Sequence, residues 1–234
     1  MNTIDLLALD ADDTLWHNET LYRATRDRFV ELLAATADEQ TIIDRLDETE
    51  GRNLESFGFG IKAYTLSLIE TAVSLTGGKI SGREVQQIVN LAHEMIDAPV
   101  QLLPGVAETL PHLAEQQRLL LLTKGDILDQ ERKLERSHLA QYFTFVEVTS
   151  KKNLTTYRQV LQQYQVAPEH FMMVGNSLKS DILPVLELKA SAVYIPFEIT
   201  WLHETAEPPA AGTAGFYELN SFAGLPALLN QLTA

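Results

Sequence analysis

Ile4-Asp5-Leu6-Leu7-Ala8-Leu9-Asp10-Ala11-Asp12-Asp13-Thr14-Leu15 is an apolar run that stops abruptly at a cluster of carboxylates. The run reads as a buried strand. Alternation along an extended chain puts Asp10 and Asp12 on one side and Asp13 on the other. Carboxylates where a buried parallel strand ends lie at the carboxyl edge of a sheet, where open α/β folds bind ligands. Two such charges repel unless a cation or a shared proton accommodates them. Taken alone, D-x-D is equally a polar turn closing a strand, because Asp is a common turn residue. The rest of the chain decides between these readings.

Beyond this strand the pattern is helical for a long way. Glu19 to Ala35 carries Leu21, Tyr22, Phe29, Leu32 and Leu33 at roughly helical spacing. Asp38 to Thr49 reads as a second, more polar helix and Gly58 to Leu75 as a third. Ser81 and Glu84 form a capping box that starts a fourth, running to about Ile96. No strand pattern occurs between Trp16 and Ala98, so this stretch is not part of a simple βαβ alternation. It reads as an inserted helical subdomain.

From Leu103-Pro104-Gly105 the rhythm changes. Strands are expected at Arg118–Thr123, Phe143–Val148, Phe171–Gly175, Ala192–Pro196 and Phe216–Leu219. Helices are expected at Val106–Gln116, after Lys124-Gly125-Asp126, at Leu154–Tyr164, around Asp181–Leu188 and at Phe222–Leu232. This alternation predicts an α/β fold: a Rossmann-like, three-layer α/β/α core with a mostly parallel sheet covered on both faces. Residues 1–15 and 100–234 form that core, and 16–99 form an all-helical cap inserted into it.

Composition narrows the possible functions. Hydrophobic residues make up 45% of the 234 residues, enough for a sizeable core. A formal net charge of -14 disfavours nucleic acid and anionic membrane surfaces as partners. A small phosphorylated substrate stays compatible, because a local cation or helix N-terminus outweighs the global field. The absence of cysteine excludes disulfides and thiolate metal sites. The opening Met1–Asp5 lacks the basic start of a targeting leader, and no apolar run approaches a membrane-spanning length. A cytoplasmic protein is expected, monomeric or homodimeric.

Three later strands also end in polar residues. The second ends at Thr123-Lys124-Gly125, where a hydroxyl and the amides at a helix start make an anion-binding corner; plain helix capping by Thr is the competing reading. The third leads to Ser150-Lys151-Lys152-Asn153, whose lysines are either functional or simply solvated. The fourth ends at Gly175-Asn176-Ser177, with Asp181 following. Asp and Asn oxygens without Cys or paired His suit a hard ion such as Mg²⁺.

A carboxylate pair, a hydroxyl, a lysine and a second acidic group, in that order at successive strand ends, resemble the motifs of the haloacid dehalogenase-like hydrolase superfamily. Asp10-Ala11-Asp12-Asp13-Thr14 matches its D-x-D-x-T motif, Thr123 its second, a lysine its third, and Gly175-Asn176-Ser177 with Asp181 its fourth. The helical insertion resembles the type-1 cap of subfamily I. The resemblance implies a Mg²⁺-dependent phosphatase acting on a small phosphorylated metabolite. Asp10 would form an aspartyl-phosphate, and Asp12 would serve as acid, then base. Thr123 and the lysine would hold the phosphoryl oxygens. The ion would lie on the Asp10 carboxylate, the Asp12 backbone carbonyl, Asn176 and Asp181. Substrate contacts are expected from Thr123, Lys124, Gly125 and His17, the last because it directly follows the nucleophile motif. The cap would close over the site and select the substrate.

Two departures accompany the resemblance. The fourth motif commonly carries an acid where Asn176 stands, so one negative charge is lost. The third-motif lysine is taken as Lys152, with Lys151 as the alternative. Haloacid dehalogenation on the same fold needs neither Mg²⁺ nor the acid two residues after the nucleophile, so Asp12 favours phosphoryl transfer. A non-catalytic binding or regulatory member of the family is the other alternative, and Asn176 is the feature in its favour.

Overall fold

The computed structural model of the protein describes residues 4–233. Met1 to Thr3, part of the opening read as lacking a leader, and Ala234 lie outside them. Packing divides the described chain into two units. The first holds residues 4–19, 100–124 and 131–233, and the second holds 20–99 and 125–130.

The first unit is built on one sheet. Its strands are β1 (Leu6–Leu9), β2 (Leu119–Lys124), β3 (Phe145–Thr149), β4 (Phe171–Gly175), β5 (Ser191–Tyr194) and β6 (Phe216–Glu218). They run parallel in the order β3-β2-β1-β4-β5-β6. β1 is therefore central, with Leu7 opposite Leu119 on one side and Met172 on the other. All four of its side chains are buried, as a parallel strand covered on both faces requires.

Alternation then assigns the side chains to two cores. Leu7 and Leu9 pack on one face with Val106 and Leu110 of α5 (Val106–Gln116) and Leu225 and Leu229 of α9 (Leu225–Thr233). Leu6 and Ala8 pack on the other with Tyr157 and Leu161 of α7 (Leu154–Tyr164) and Val185 of α8 (Leu183–Glu187). This is the expected three-layer α/β/α arrangement. The chain winds outward from β1 through β2 to β3, then restarts at β4 on β1's other flank. The gap between the ends of β1 and β4 is thus the topological switch point, where sheets of this order bind ligands.

The second unit is helical: the body of α1 (Glu19–Leu33), then α2 (Glu39–Phe57), α3 (Ile61–Leu75) and α4 (Gly82–Asp97). Its core joins Phe29, Leu46, Leu68 and Met95, one from each helix. The Ser81–Glu84 capping box is formed in both directions. Two boundaries differ from the sequence expectation. α2 runs on past Thr49 to Phe57, and α3 begins only at Ile61. The cause is Gly58 and Gly60, whose φ values of 73° and 103° are left-handed and interrupt the helix between them. The connecting α6 (Ile127–Arg136) spans residues of both units. Among the described residues, no helix is long and apolar enough to cross a membrane.

Candidate active site

Asp10 immediately follows β1, and its backbone N–H still donates to the Val174 carbonyl of β4 at 2.9 Å. The nucleophile candidate is therefore held at the switch point by sheet pairing. Strand alternation does not continue past it. Thr14 and Leu15 N–H both donate to the Ala11 carbonyl, and Asp13 takes a left-handed φ of 59°. In this turn the Asp13 carboxylate accepts from the backbone N–H of Asn18 (2.8 Å) and Glu19 (3.0 Å), capping the start of α1.

The Asp10 carboxylate is almost fully buried. Lys152 Nζ donates to its Oδ1, and Thr14 Oγ1 donates to its Oδ2 at 3.1 Å. Lys152 also donates to Asp181 Oδ1 at 2.8 Å. Burial pushes the Asp10 carboxyl up to about 7, against the opposing pull of the Lys152 ammonium and with a further push from Asp181 and Asp12. Lys152 remains charged despite its own burial, because two carboxylates flank it. One ammonium between two buried carboxylates leaves a net negative pocket, suited to one more positive charge.

Lys151 and Lys152 are separated by their surroundings. Lys151 is exposed, and its carbonyl accepts from the hydroxyls of Thr149 (3.0 Å) and Thr156 (2.7 Å). Lys152 is the buried one, and Asn153 then caps α7 through Thr156 N–H. Asp181 lies in a π-helical turn, Leu178–Ile182, which begins earlier than the helix expected around this residue. Its Oδ2 accepts from Ser177 N–H at 3.0 Å. Glycine is required at 175 because a Cβ there would lie 2.3 Å from Asp181 Oδ2, well inside contact distance.

Asn176 turns the end of its carboxamide toward Asp10 Oδ2 and the Asp12 carbonyl oxygen, 3.2 Å from each. With the –NH₂ toward them it donates to both. With the oxygen toward them, where Thr14 Oγ1 donates to it at 3.3 Å, the three form an all-oxygen triangle. Neighbouring ligands of an octahedral Mg²⁺ are roughly 3 Å apart, given bonds of about 2.1 Å. The two 3.2 Å separations from the Asn176 oxygen match that spacing. Among the described residues, no group of three His, Asp or Glu side chains is placed to hold a metal alone. A site here therefore draws on one carboxylate, an amide and a main-chain carbonyl, while both Asp181 oxygens are engaged by Lys152 and Ser177.

Asp12 keeps separate company. Trp16 Nε1 donates to its Oδ1 at 2.7 Å, and Lys133 Nζ donates to Oδ1 and Oδ2 at 3.1 and 3.2 Å. Thr123 is the penultimate residue of β2 and is buried. Lys124 does not point outward as a simple surface cation would. It is paired with Glu204 and donates to Ser180 Oγ at 2.9 Å. Glu204 Oε2 accepts from Ser177 Oγ (2.5 Å) and Ser180 Oγ (2.6 Å). Burial pushes the Glu204 carboxyl up, but Lys124 and the two serine hydroxyls outweigh it and hold it below the ordinary glutamate value. Gly125, at φ 147°, packs against the Gln130 side chain. His17 presents its ring edge-on to Phe197, with Nδ1 buried and without a hydrogen-bond partner.

An aspartate at the switch point of a six-stranded parallel sheet is ion-paired to a lysine after β3 and lies against the carboxamide of Asn176 after β4. The chain belongs to the haloacid dehalogenase-like hydrolase family, whose model matches residues 4–185. No curated protein matches it. Among solved structures it is similar to a haloacid dehalogenase-like family hydrolase from Xanthomonas campestris, with 34% identity over 99% of this chain and 97% of that one and a TM-score of 0.85. It shares its fold with 2-haloacid dehalogenase from Pseudomonas syringae, at 20% identity over 98% and 100% of the two chains and a TM-score of 0.66. It also shares it with a magnesium-bound HAD-hydrolase from Bacillus subtilis, at 18% identity over 97% and 99% and a TM-score of 0.66.

The motif spacing pointed to Asp10, Asp12, Thr123, Lys152, Asn176 and Asp181, all at the carboxyl edge of the sheet. It did not point to Lys133, and the sequence offered Glu204 only as part of Trp201-Leu202-His203-Glu204, a stretch expected near the same site. Lys133 lies in a strongly charged helix, and Glu204 ends a single 3-10 turn, Leu202–Glu204, too short to show periodicity.

Proposed function

We propose that this hydrolase is a phosphatase that cleaves a small phosphorylated metabolite through an aspartyl-phosphate on Asp10. The observation that carries this reading is Asp12, a second carboxylate two residues after the nucleophile with its own set of donors. Displacement of halide from carbon has no leaving oxygen to protonate and no use for that acid.

An Asp10 carboxylate oxygen bonds to phosphorus as the ester P–O bond breaks, and Asp12 gives a proton to the departing oxygen. A water oxygen then bonds to phosphorus, Asp12 takes its proton, and the Asp10–phosphorus bond breaks to release phosphate. Lys152 and the Thr123 corner stabilise the charge that develops on the phosphoryl oxygens. A Mg²⁺ ion, held by Asp10, the Asp12 carbonyl and Asn176 with Asp181 behind them, would screen the anionic nucleophile from the anionic substrate.

The test is phosphate release from a panel of phosphate monoesters, with and without Mg²⁺, comparing the native protein with Asp10→Asn. Metal-dependent release that disappears in the variant is expected. Halide release from 2-chloro acids, without phosphate release from any ester, would overturn the proposal in favour of dehalogenation.

A further inference from the structure

Lysine side chains are seldom fully buried, yet that of Lys133 is only 13% exposed. An ammonium has three N–H donors, and the acceptor oxygens around this one include Asp12 Oδ1 at 3.1 Å, Asp12 Oδ2 at 3.2 Å and Asn18 Oδ1 at 2.8 Å. Asn18 is itself fixed, since its backbone N–H donates to Asp13 Oδ1 at 2.8 Å. The lysine is thus anchored to the turn that carries the nucleophile motif and spans both oxygens of Asp12. Trp16, buried in the core beneath, holds Oδ1 from a second direction.

We infer that Lys133 is a positioning residue for Asp12: together with Trp16 it fixes the plane of the carboxylate that moves protons in the reaction. The inference rests on the proposed phosphatase reading. A lone ion pair within the first unit would need only one Asp12 oxygen. Contacts to both oxygens, with an indole N–H on one of them, fix its orientation as well as its place. A proton-transfer group must lie within hydrogen-bond reach of its target, and a misplacement of about 1 Å is enough to cost roughly a hundredfold in rate.

The leaving group reports this role. An alkyl phosphate such as glycerol 2-phosphate needs a proton on its departing oxygen, whereas p-nitrophenyl phosphate departs readily as an anion. The experiment measures kcat/KM for both esters, with Mg²⁺, in the native protein, Lys133→Met, Asp12→Asn and the double variant. Lys133→Met is expected to lower the alkyl ester value by about 10- to 100-fold and the aryl ester value far less, shifting the alkyl-to-aryl ratio in the same direction as Asp12→Asn. In the Asp12→Asn background the lysine change should add less than about threefold, because residues acting as one unit are non-additive. Lys133→Arg should recover much of the ratio, and Lys133→Gln replaces Lys133→Met if the latter does not fold. Equal losses on both esters, or losses that multiply in the double variant, overturn the assignment. A native protein inactive on every ester removes the phosphatase reading and this assignment with it; an active one with an unmoved ratio removes only the assignment.

Discussion

Lys152 and Asp181 pair at 2.8 Å with side chains 2% and 1% exposed, and the same ammonium binds Asp10. A charge so placed is tolerated only because it is matched. Lys152→Met leaves two carboxylates buried without a cation. Breaking a buried pair by removing one partner costs about 3–5 kcal/mol. Urea denaturation should show a loss of that size, alongside loss of turnover. Lys151→Met, at the exposed neighbour, should stay within about 0.5 kcal/mol of the native protein.

The closeness of Gly175 to Asp181 gives a second expectation. A methyl group at 175 overlaps the Asp181 carboxylate, whose Cγ would be 2.4 Å away. Forcing it aside also breaks its bonds to Lys152 and Ser177 N–H. Gly175→Ala should lose about 1–3 kcal/mol, the usual cost of overpacking. It should also lose most of its turnover, which thermal unfolding and a rate measurement would record together.

Glu204 makes the pH response readable. Its carboxyl is held below the ordinary glutamate value of 4.5 in the folded protein. The unfolded chain therefore binds the proton first as pH falls. The stabilisation is present above pH 4.5 and disappears as pH drops through the folded value. Glu204→Gln should be less stable than the native protein at pH 7 by about 1–3 kcal/mol. That gap should narrow once the native carboxyl is protonated. Denaturation midpoints of both proteins between pH 7 and pH 3 check the sign; a gap that widens on acidification would show it to be reversed.

Asn176 contributes an amide where an acid would add charge. Because affinity for a hard cation rises with the charge of its ligands, Asn176→Asp should bind Mg²⁺ more tightly, by roughly tenfold. Asn176→Ala should bind it more weakly than the native protein. Calorimetric titration with MgCl₂ measures both without reference to turnover.

The parts of the site that were legible in the sequence are those fixed by strand ends. An apolar run closing on Asp10, Thr123 or Gly175 announces where a buried strand meets solvent, and the sheet does the rest. The helical insertion was legible because Trp16 to Ala98 holds no strand pattern. The partners of Asp12 and Lys124 were not. In Ile127–Arg136, rich in Glu, Arg and Lys, Lys133 reads like any solvated residue, since helical spacing does not reveal which charge turns inward. Glu204 is brought to Ser177 and Ser180 only by a single short turn, Leu202–Glu204. The turn after Asp10 also escaped pattern reading, because the positive φ of Asp13 breaks the alternation that the strand suggests.

The central place of β1 has a consequence for how the protein is made. Both neighbours of Leu6–Leu9 come late in the chain, β2 after the whole helical insertion and β4 later still. During synthesis the first strand emerges with no partner, while the helices that follow it can close their own core from nearby residues. Pairings of such long sequence separation form slowly and leave apolar edges open in the meantime. Asp10 is thus translated well before β4, and its setting is completed only when β4 docks. A nascent chain arrested before Phe171 carries Asp10 without its β4 partner, and with one edge of β1 left open.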